Sequence, residues 1–259
     1  MAEFCKVERE GRLWIVTINR PEVMNSLHPA ANRELAKVWD DFEADPEAWV
    51  GIITGAGDRA FSAGNDLKYQ ASGGDMRGQP ESGFGGLTQR FGLTKPVIAA
   101  VNGVAMGGGF EIALACDLII ASEQAVFALP EPRVGLAALA GGLQRLPRMI
   151  PLKQAMGMIL TGRRVPAQEG KELGFVTDVS KHDALLKTAR AWADQILECS
   201  PLSIRASKQT ALASLSVADL AESMQNGRYP AIGAMVRSED FVEGPKAFAE
   251  KRKPQWKGR

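Results

Sequence analysis

The chain has 259 residues, of which 45% are hydrophobic and 24% are charged, and its formal net charge is +1. This composition is typical of a globular protein with one large core, or a core and a smaller appendage. The near-neutral charge argues against nucleic acid as a partner, and no apolar run approaches the roughly 18 residues of a membrane span.

The first twelve residues carry charges throughout and contain no apolar signal core, so we expect a cytoplasmic protein. Three scattered cysteines, Cys5, Cys116 and Cys199, fit a reducing compartment better than a disulfide framework. Two histidines and no paired cysteines leave little for a transition-metal site, so no metal is predicted.

The β-rich stretch 13–19 predicts a strand that stops before Pro21, and apolar residues at helical spacing predict a helix over 30–42. Further strands are predicted at 49–57, 95–103, 117–122, 125–132 and 173–180. Several are continuous apolar runs, which indicates burial on both faces as in parallel sheets. Helical patterns separate some strands and continue alone from about residue 183, so the fold class is α/β.

Two segments of the sequence each allow two interpretations. Residues 72–86 are rich in glycine and polar residues, which is typical of a disordered surface loop or of a mobile lid beside a binding site. The basic C-terminal stretch is either a solvated tail or a contact for a phosphate group.

Three consecutive glycines, Gly107–Gly109, precede helix-compatible residues and predict a helix start. The first amides of this helix bind an anion or oxyanion, or else the glycines only allow the helix to pack closely on a strand. The glycine spacing does not match the dinucleotide-binding fingerprint, and the P-loop lysine is missing. Glu111 falls in the first helical turn among apolar neighbours. It either complements the helix dipole or is a buried carboxylate with a raised pKa, which suits proton transfer.

A second carboxylate, Glu131, lies between Pro130 and Pro132, which predict a stiff, extended segment. The alternative interpretation is that Glu131 is an exposed glutamate in a turn. In "AFSAGNDLKY" (60–69), Asn65 and Asp66 predict a turn or helix cap, or a backbone amide that points into a pocket.

In chain order these pieces resemble the enoyl-CoA hydratase/isomerase (crotonase) superfamily. The matching stretches are "RPEVMNSL", "GIITGAGDRAFSAGNDL", "KPVIAAVNGVAMGGGFEIALACDLIIAS", "FALPEPRVGL", "GGLQRL", "TGRRV" and "EGPKAFAEKRKPQW". The resemblance implies a spiral of repeated ββα units, with a catalytic core over 1–190 and a helical region over 191–259 that builds trimers or hexamers. It implies an acyl-CoA hydro-lyase of lipid and fatty acid metabolism, with no cofactor besides the coenzyme A of the substrate.

By the same resemblance, the amides of Asn65 and Gly108 form an oxyanion hole for the thioester. Glu111 and Glu131 are the two catalytic glutamates that add water to a trans-2-enoyl-CoA. The residues expected to line the substrate and coenzyme A path are Asn25, Ser26, Ala63, Asp66, Leu67, Lys68 and Leu139. Lys251 and Arg252 are candidates for the 3′-phosphate because of their charge.

One departure concerns Ala138-Leu139, where many hydratases have Pro-Gly or Pro-Asp, and this leaves the acyl preference open. The nearest alternative is the carnitinyl-CoA dehydratase branch, followed by an enoyl-CoA isomerase. A quaternary ammonium substrate favours an aromatic wall, for which Phe84, Phe91 and Phe127 are candidates. Non-catalytic RNA-binding or structural relatives fit poorly with the charge and with the retained glutamates.

Overall fold

The structure, a computed structural model, describes residues 3–259, so residues 1 and 2 of the predicted catalytic core lie outside the described residues. The strands are β1 (Cys5–Glu10), β2 (Leu13–Ile18), β3 (Val50–Gly55), β4 (Ala60–Ser62), β5 (Val97–Val101), β6 (Val104–Met106), β7 (Leu118–Ser122), β8 (Val126–Ala128), β9 (Val165–Pro166) and β10 (Asp178–Ser180). The α-helices are α1 (Pro29–Ala44), α2 (Leu67–Ala71), α3 (Gly108–Ala115), α4 (Gly142–Met149), α5 (Leu152–Thr161), α6 (Ala167–Leu173), α7 (Leu185–Leu197), α8 (Pro201–Ser214), α9 (Leu220–Ser223), α10 (Pro230–Val236) and α11 (Glu239–Ala249).

The strands form two sheets. The larger has the order β1-β2-β3-β5-β7-β10 and is parallel from β2 onward, whereas the smaller has the order β4-β6-β8-β9. In the smaller sheet β4, β6 and β8 are parallel and β9 runs antiparallel. The chain passes from the larger sheet to the smaller one in three successive pairs, β3 to β4, β5 to β6 and β7 to β8. The α/β class is therefore confirmed.

Burial of both sheet faces explains the continuous apolar strands. All residues of β3 and β5 are buried, and their alternate side chains belong to two separate apolar clusters. One cluster contains Trp39 and Phe42 of α1, while Leu185 and Ala189 of α7 cover the opposite face. Parallel strands between two helical layers require this composition, as predicted.

Most predicted strands are present, but the one over 173–180 is mostly wrong. Helix α6 runs to Leu173, and only Asp178–Ser180 pair as a strand. The amides of Phe175 and Val176 both donate to the Gly170 carbonyl at 3.1 Å, so they close the helix end and are not available to a sheet.

Helices α7 to α11 follow as the sequence predicted for the C-terminal region. The proposed division at residue 190 falls within α7, which packs on the larger sheet, and the division itself stays a prediction. Within residues 3–259, no helix combines the length and apolarity needed to cross a membrane.

Candidate active site

Three neighbouring strands of the smaller sheet end at the same place. Ser62 of β4 pairs with Ala105 of β6, and Met106 of β6 pairs with Ala128 of β8. Asn65, Gly108 and Glu131 follow these strands within two or three residues. Because the carboxyl ends of parallel strands lie at one edge of a sheet, the fold brings these three predicted residues together.

The glycine run forms the helix start that the sequence predicted, since α3 begins at Gly108 and Gly107 has φ +54°. Its backbone meets that of Gly64, which has φ +85°. A Cβ placed at Gly64 would lie 2.6 Å from the Met106 carbonyl oxygen and 2.8 Å from the Gly108 nitrogen. Only glycine accommodates this contact and this φ.

The close approach leaves two main-chain donors near each other. Within residues 3–259, neither the Asn65 amide nor the Gly108 amide donates a hydrogen bond to a protein acceptor. The first amides of a helix have no intrahelical partner, and the helix dipole favours negative charge there. The pair can therefore receive an oxygen on which negative charge develops.

Phe84 covers Gly108, because a Cβ placed at Gly108 would overlap its ring. The Phe84 amide donates to Thr88 Oγ1 at 2.8 Å, and the next amide donates to Asn32 Oδ1 at 2.7 Å. These hydrogen bonds hold the end of the predicted loop 72–86 beside Gly108. Of the other two aromatic candidates, Phe127 is buried in the core, whereas Phe91 is 81% exposed and its ring lies 5.6 Å from the Arg145 guanidinium.

Glu111 lies one turn into α3 and is 3% exposed. Its Oε1 accepts a hydrogen bond from the Gly142 amide at 2.8 Å. Burial raises the pKa of Glu111 to about 7, and the charge of Glu131 adds to the shift. The amides of Gly142 and Ala140 oppose it, as does, to a smaller extent, Arg145. The predicted buried carboxylate is therefore present.

Glu131 does not lie in the extended segment that its flanking prolines predicted. It is the first residue of a 3-10 helix, Glu131–Val134, where Pro132 is tolerated because first-turn amides need no intrahelical partner. Its Oε1 would lie 2.9 Å from a Cβ placed at Gly107. Its Oε2 is buried with no hydrogen-bond partner among the described residues, and burial raises the pKa of Glu131.

Asn25 and Asp66, two buried residues predicted to line the substrate path, make hydrogen bonds within the protein. Asn25 Nδ2 donates to the carbonyls of Ala56 and Ala60 at 3.0 and 2.7 Å. Asp66 caps α2 by accepting from the Tyr69 amide at 3.1 Å, and it pairs with Arg20 at 3.0 Å. Burial alone would raise the pKa of Asp66, but the Tyr69 amide and Arg20 outweigh it and lower that pKa.

The other predicted path residues differ in exposure. Ser26 is buried, and its carbonyl accepts from Arg20; Ala63 is half-buried, and its amide donates to the Met24 carbonyl at 2.9 Å. The exposed members are Leu67, Lys68 and Leu139. The two basic candidates for the 3′-phosphate are exposed as well, and Arg252 is paired with Glu243 and Glu250.

Sequence reasoning missed four contributors to this site, namely Gly64, Gly142, Arg20 and Arg145. The doublet Gly141-Gly142 was a signal for a close backbone approach, and the structure uses it to hold Glu111. Arg145 is one helical turn further on, and no local pattern indicates that it turns back towards a carboxylate.

Within residues 3–259, no group of three or more His, Cys, Asp or Glu side chains is placed to hold a metal ion.

The model of the family described as enoyl-CoA hydratase/isomerase matches residues 8–259.

Individual relatives match along the whole chain. It is 43% identical over 263 residues to a carnitinyl-CoA dehydratase of Citrobacter koseri, covering 100% of both chains. A solved enoyl-CoA hydratase of Mycobacterium tuberculosis H37Rv superposes with a TM-score of 0.91 at 39% identity, covering 99% of each chain. A solved carnitinyl-CoA hydratase of Mycobacterium avium superposes with a TM-score of 0.78 at 41% identity, also covering 99% of each chain.

Proposed function

Because the chain belongs to the enoyl-CoA hydratase/isomerase family, we propose that it is a hydro-lyase for acyl-CoA thioesters. Its reaction is the reversible addition of water across the C2–C3 double bond of a trans-2-enoyl-CoA, which gives a 3-hydroxyacyl-CoA. The observation that carries this proposal is the placement of two carboxylates, the buried Glu111 and the half-buried Glu131, near the amides of Asn65 and Gly108.

The two amides bind the thioester carbonyl oxygen. When hydroxide attacks C3, electron density moves through C2 to this oxygen, and two preorganised N–H donors stabilise the enolate. Removal of one such donor costs about 2.7–4 kcal/mol of transition-state stabilisation in other enzymes. Glycine at 108 leaves the amide accessible, and Phe84 closes the side on which a Cβ would project.

The two glutamates move the protons. In hydration, Glu111 accepts a proton from the water whose oxygen bonds to C3, and protonated Glu131 donates its proton to C2. Dehydration reverses both transfers, and the pair carries one proton at the start and end of either direction. Raised pKa values suit this one-proton state near neutral pH, and the two groups titrate as a coupled pair.

The proposal includes the architecture and assembly of the family. The three successive passages between the two sheets support a spiral of ββα units. The C-terminal helices expose large apolar side chains, as expected of a region that forms a homotrimer or a dimer of trimers; they are Leu212, Leu215, Phe241, Val242 and Phe248. Light scattering of the purified protein measures this assembly.

A second candidate is dehydration of carnitinyl-CoA, which uses the same bond changes on a trimethylammonium acyl group. The names of the 42–43% identical relatives favour it. An ammonium group needs an aromatic face or a carboxylate nearby. Of the three predicted aromatic candidates, Phe84 alone lies beside Gly108, so the aromatic wall that this substrate favours is small.

The test measures loss of the enoyl-thioester absorbance with crotonyl-CoA and with crotonobetainyl-CoA. We expect turnover of crotonyl-CoA by the wild type and loss of turnover in Glu111→Gln and Glu131→Gln. Turnover of crotonobetainyl-CoA alone would select the second candidate. Retained activity in both variants would refute the proposed two-glutamate mechanism.

A further inference from the structure

Arg145 connects two parts of the site that the proposed mechanism uses separately. Its side chain is half-buried on α4, and its Nη2 donates to the Thr88 carbonyl at 2.8 Å. Thr88 in turn accepts the Phe84 amide through Oγ1 at 2.8 Å, and Phe84 covers Gly108. One end of α4 therefore holds the segment that closes the oxyanion side.

The same helix end holds Glu111. The backbone amide of Arg145 donates to the Gly141 carbonyl at 2.8 Å, and the neighbouring Gly142 amide donates to Glu111 Oε1 at 2.8 Å. The guanidinium also folds over Gly141, because a Cβ placed there would overlap Nη1. Arg145 thus braces the turn whose amide holds the carboxylate.

The charged surroundings of Glu111 are few. Helix α3 packs mainly against β4, β5, β6, α4 and the 3-10 helix Phe84–Gly86, and apart from α4 these elements carry no ionisable side chain. The buried Cys116, which follows α3, is a further titratable group near Arg145. On α4 the charged residues are Arg145 and Arg148, and Arg148 is exposed. The charges that act on Glu111 are the negative charge of Glu131 and the positive charge of Arg145.

We propose that Arg145 is a positioning residue that places a positive charge at the turn holding Glu111 and fixes Phe84 over Gly108. This inference rests on the proposed function, in which the two glutamates together carry one proton at neutral pH. A nearby cation stabilises the ionised form of a carboxylate. Without this charge the pKa of Glu111 rises, and with it the step of the coupled titration in which Glu111 loses its proton.

The test compares the pH profiles of kcat/KM for the wild type, Arg145→Met and Arg145→Lys. We expect the limb of the Arg145→Met profile that reports the ionisation of Glu111 to move to higher pH by about half a unit, which is an about threefold change in kcat/KM on that limb. Lysine retains the charge but not the fork, so Arg145→Lys should return that limb towards its wild-type position.

Two further variants separate charge from packing. Arg148→Met removes an exposed arginine of the same helix and should leave the profile unchanged. Thr88→Val removes the acceptor of the Phe84 amide but keeps the carbonyl that Arg145 binds. It should lower activity equally at all pH values, without moving either limb.

A direct titration keeps the inference independent of the substrate. In protein labelled with ¹³C at the glutamate carboxyls, Glu111→Gln assigns the Glu111 signal, and its midpoint should rise in Arg145→Met. A profile of Arg145→Met that is lowered but not displaced, with an unchanged Glu111 midpoint, would overturn the inference. Absence of enoyl-CoA turnover by the wild type would instead refute the proposed function.

Discussion

Glu111 provides a prediction in which activity and stability change in opposite directions. Its pKa is raised from 4.5 to about 7 in the folded protein, mainly by burial. The folded state therefore binds this proton more tightly than the unfolded state does. The stability that this proton gives is fully present below pH 4.5 and is lost as the pH rises to about 7.

The magnitude follows from the size of the shift. A difference of about 2.5 units at about 1.4 kcal/mol each means that ionised Glu111 costs about 3–4 kcal/mol above pH 7. Glutamine has the same shape, cannot ionise, and keeps an oxygen for the Gly142 amide. Glu111→Gln should therefore unfold at a temperature higher than the wild type by about 6–16 °C at pH 8.

Thermal unfolding followed by circular dichroism at pH 5 and pH 8 measures this effect. The difference between Glu111→Gln and wild type should be small at pH 5 and large at pH 8. Glu123→Gln is the matched control, because Glu123 is exposed and should give no difference at either pH. An equal shift at both pH values, or a lower unfolding temperature at pH 8, would refute the reasoning.

Three other substitutions test the remaining parts of the site. Glu131→Gln should lower kcat about 10²–10⁴-fold with little change in coenzyme A affinity by calorimetry, and unchanged kcat would exclude the proton-transfer role. Gly108→Ala should lower kcat because its methyl group displaces Phe84, and Phe84→Ala added to it should restore part of the rate. If the double variant is no faster than the single one, the collision is not the cause. Gly64→Ala should lower both the unfolding temperature and kcat, since its Cβ meets the Met106 carbonyl at a φ of +85°; a wild-type melting curve would contradict this.

The parts of the site that could be predicted from sequence are those with a local chemical signature. Gly107–Gly109 and Glu111 were placed at a helix start because three glycines preceded a helix-compatible apolar run. Asp66 was predicted as a possible cap of the helix that it does cap. In each case the structure depends on residues within one turn of each other.

The parts that could not be predicted depend on contacts between distant residues. Glu131 was expected to be extended because of its two prolines, yet tertiary packing places it at the start of a 3-10 turn, where proline is also tolerated. The strand over 173–180 failed because its first amides are used at the end of α6. Arg145 reaches Thr88 across 57 positions of the chain, and no periodic pattern encodes that contact.

The short spacing between the strand ends and the functional groups has a consequence for how this protein can diverge. Asn65, Gly108 and Glu131 each follow a strand by two or three residues, whereas the long connections, such as residues 72–83, begin beyond them. Insertions or deletions in those connections therefore leave the reacting groups in register, and a homologue can exchange the walls around its acyl group without rebuilding its chemistry. Removing a single residue between β4 and Asn65 would instead move a main-chain donor by one position, which no side-chain substitution can restore.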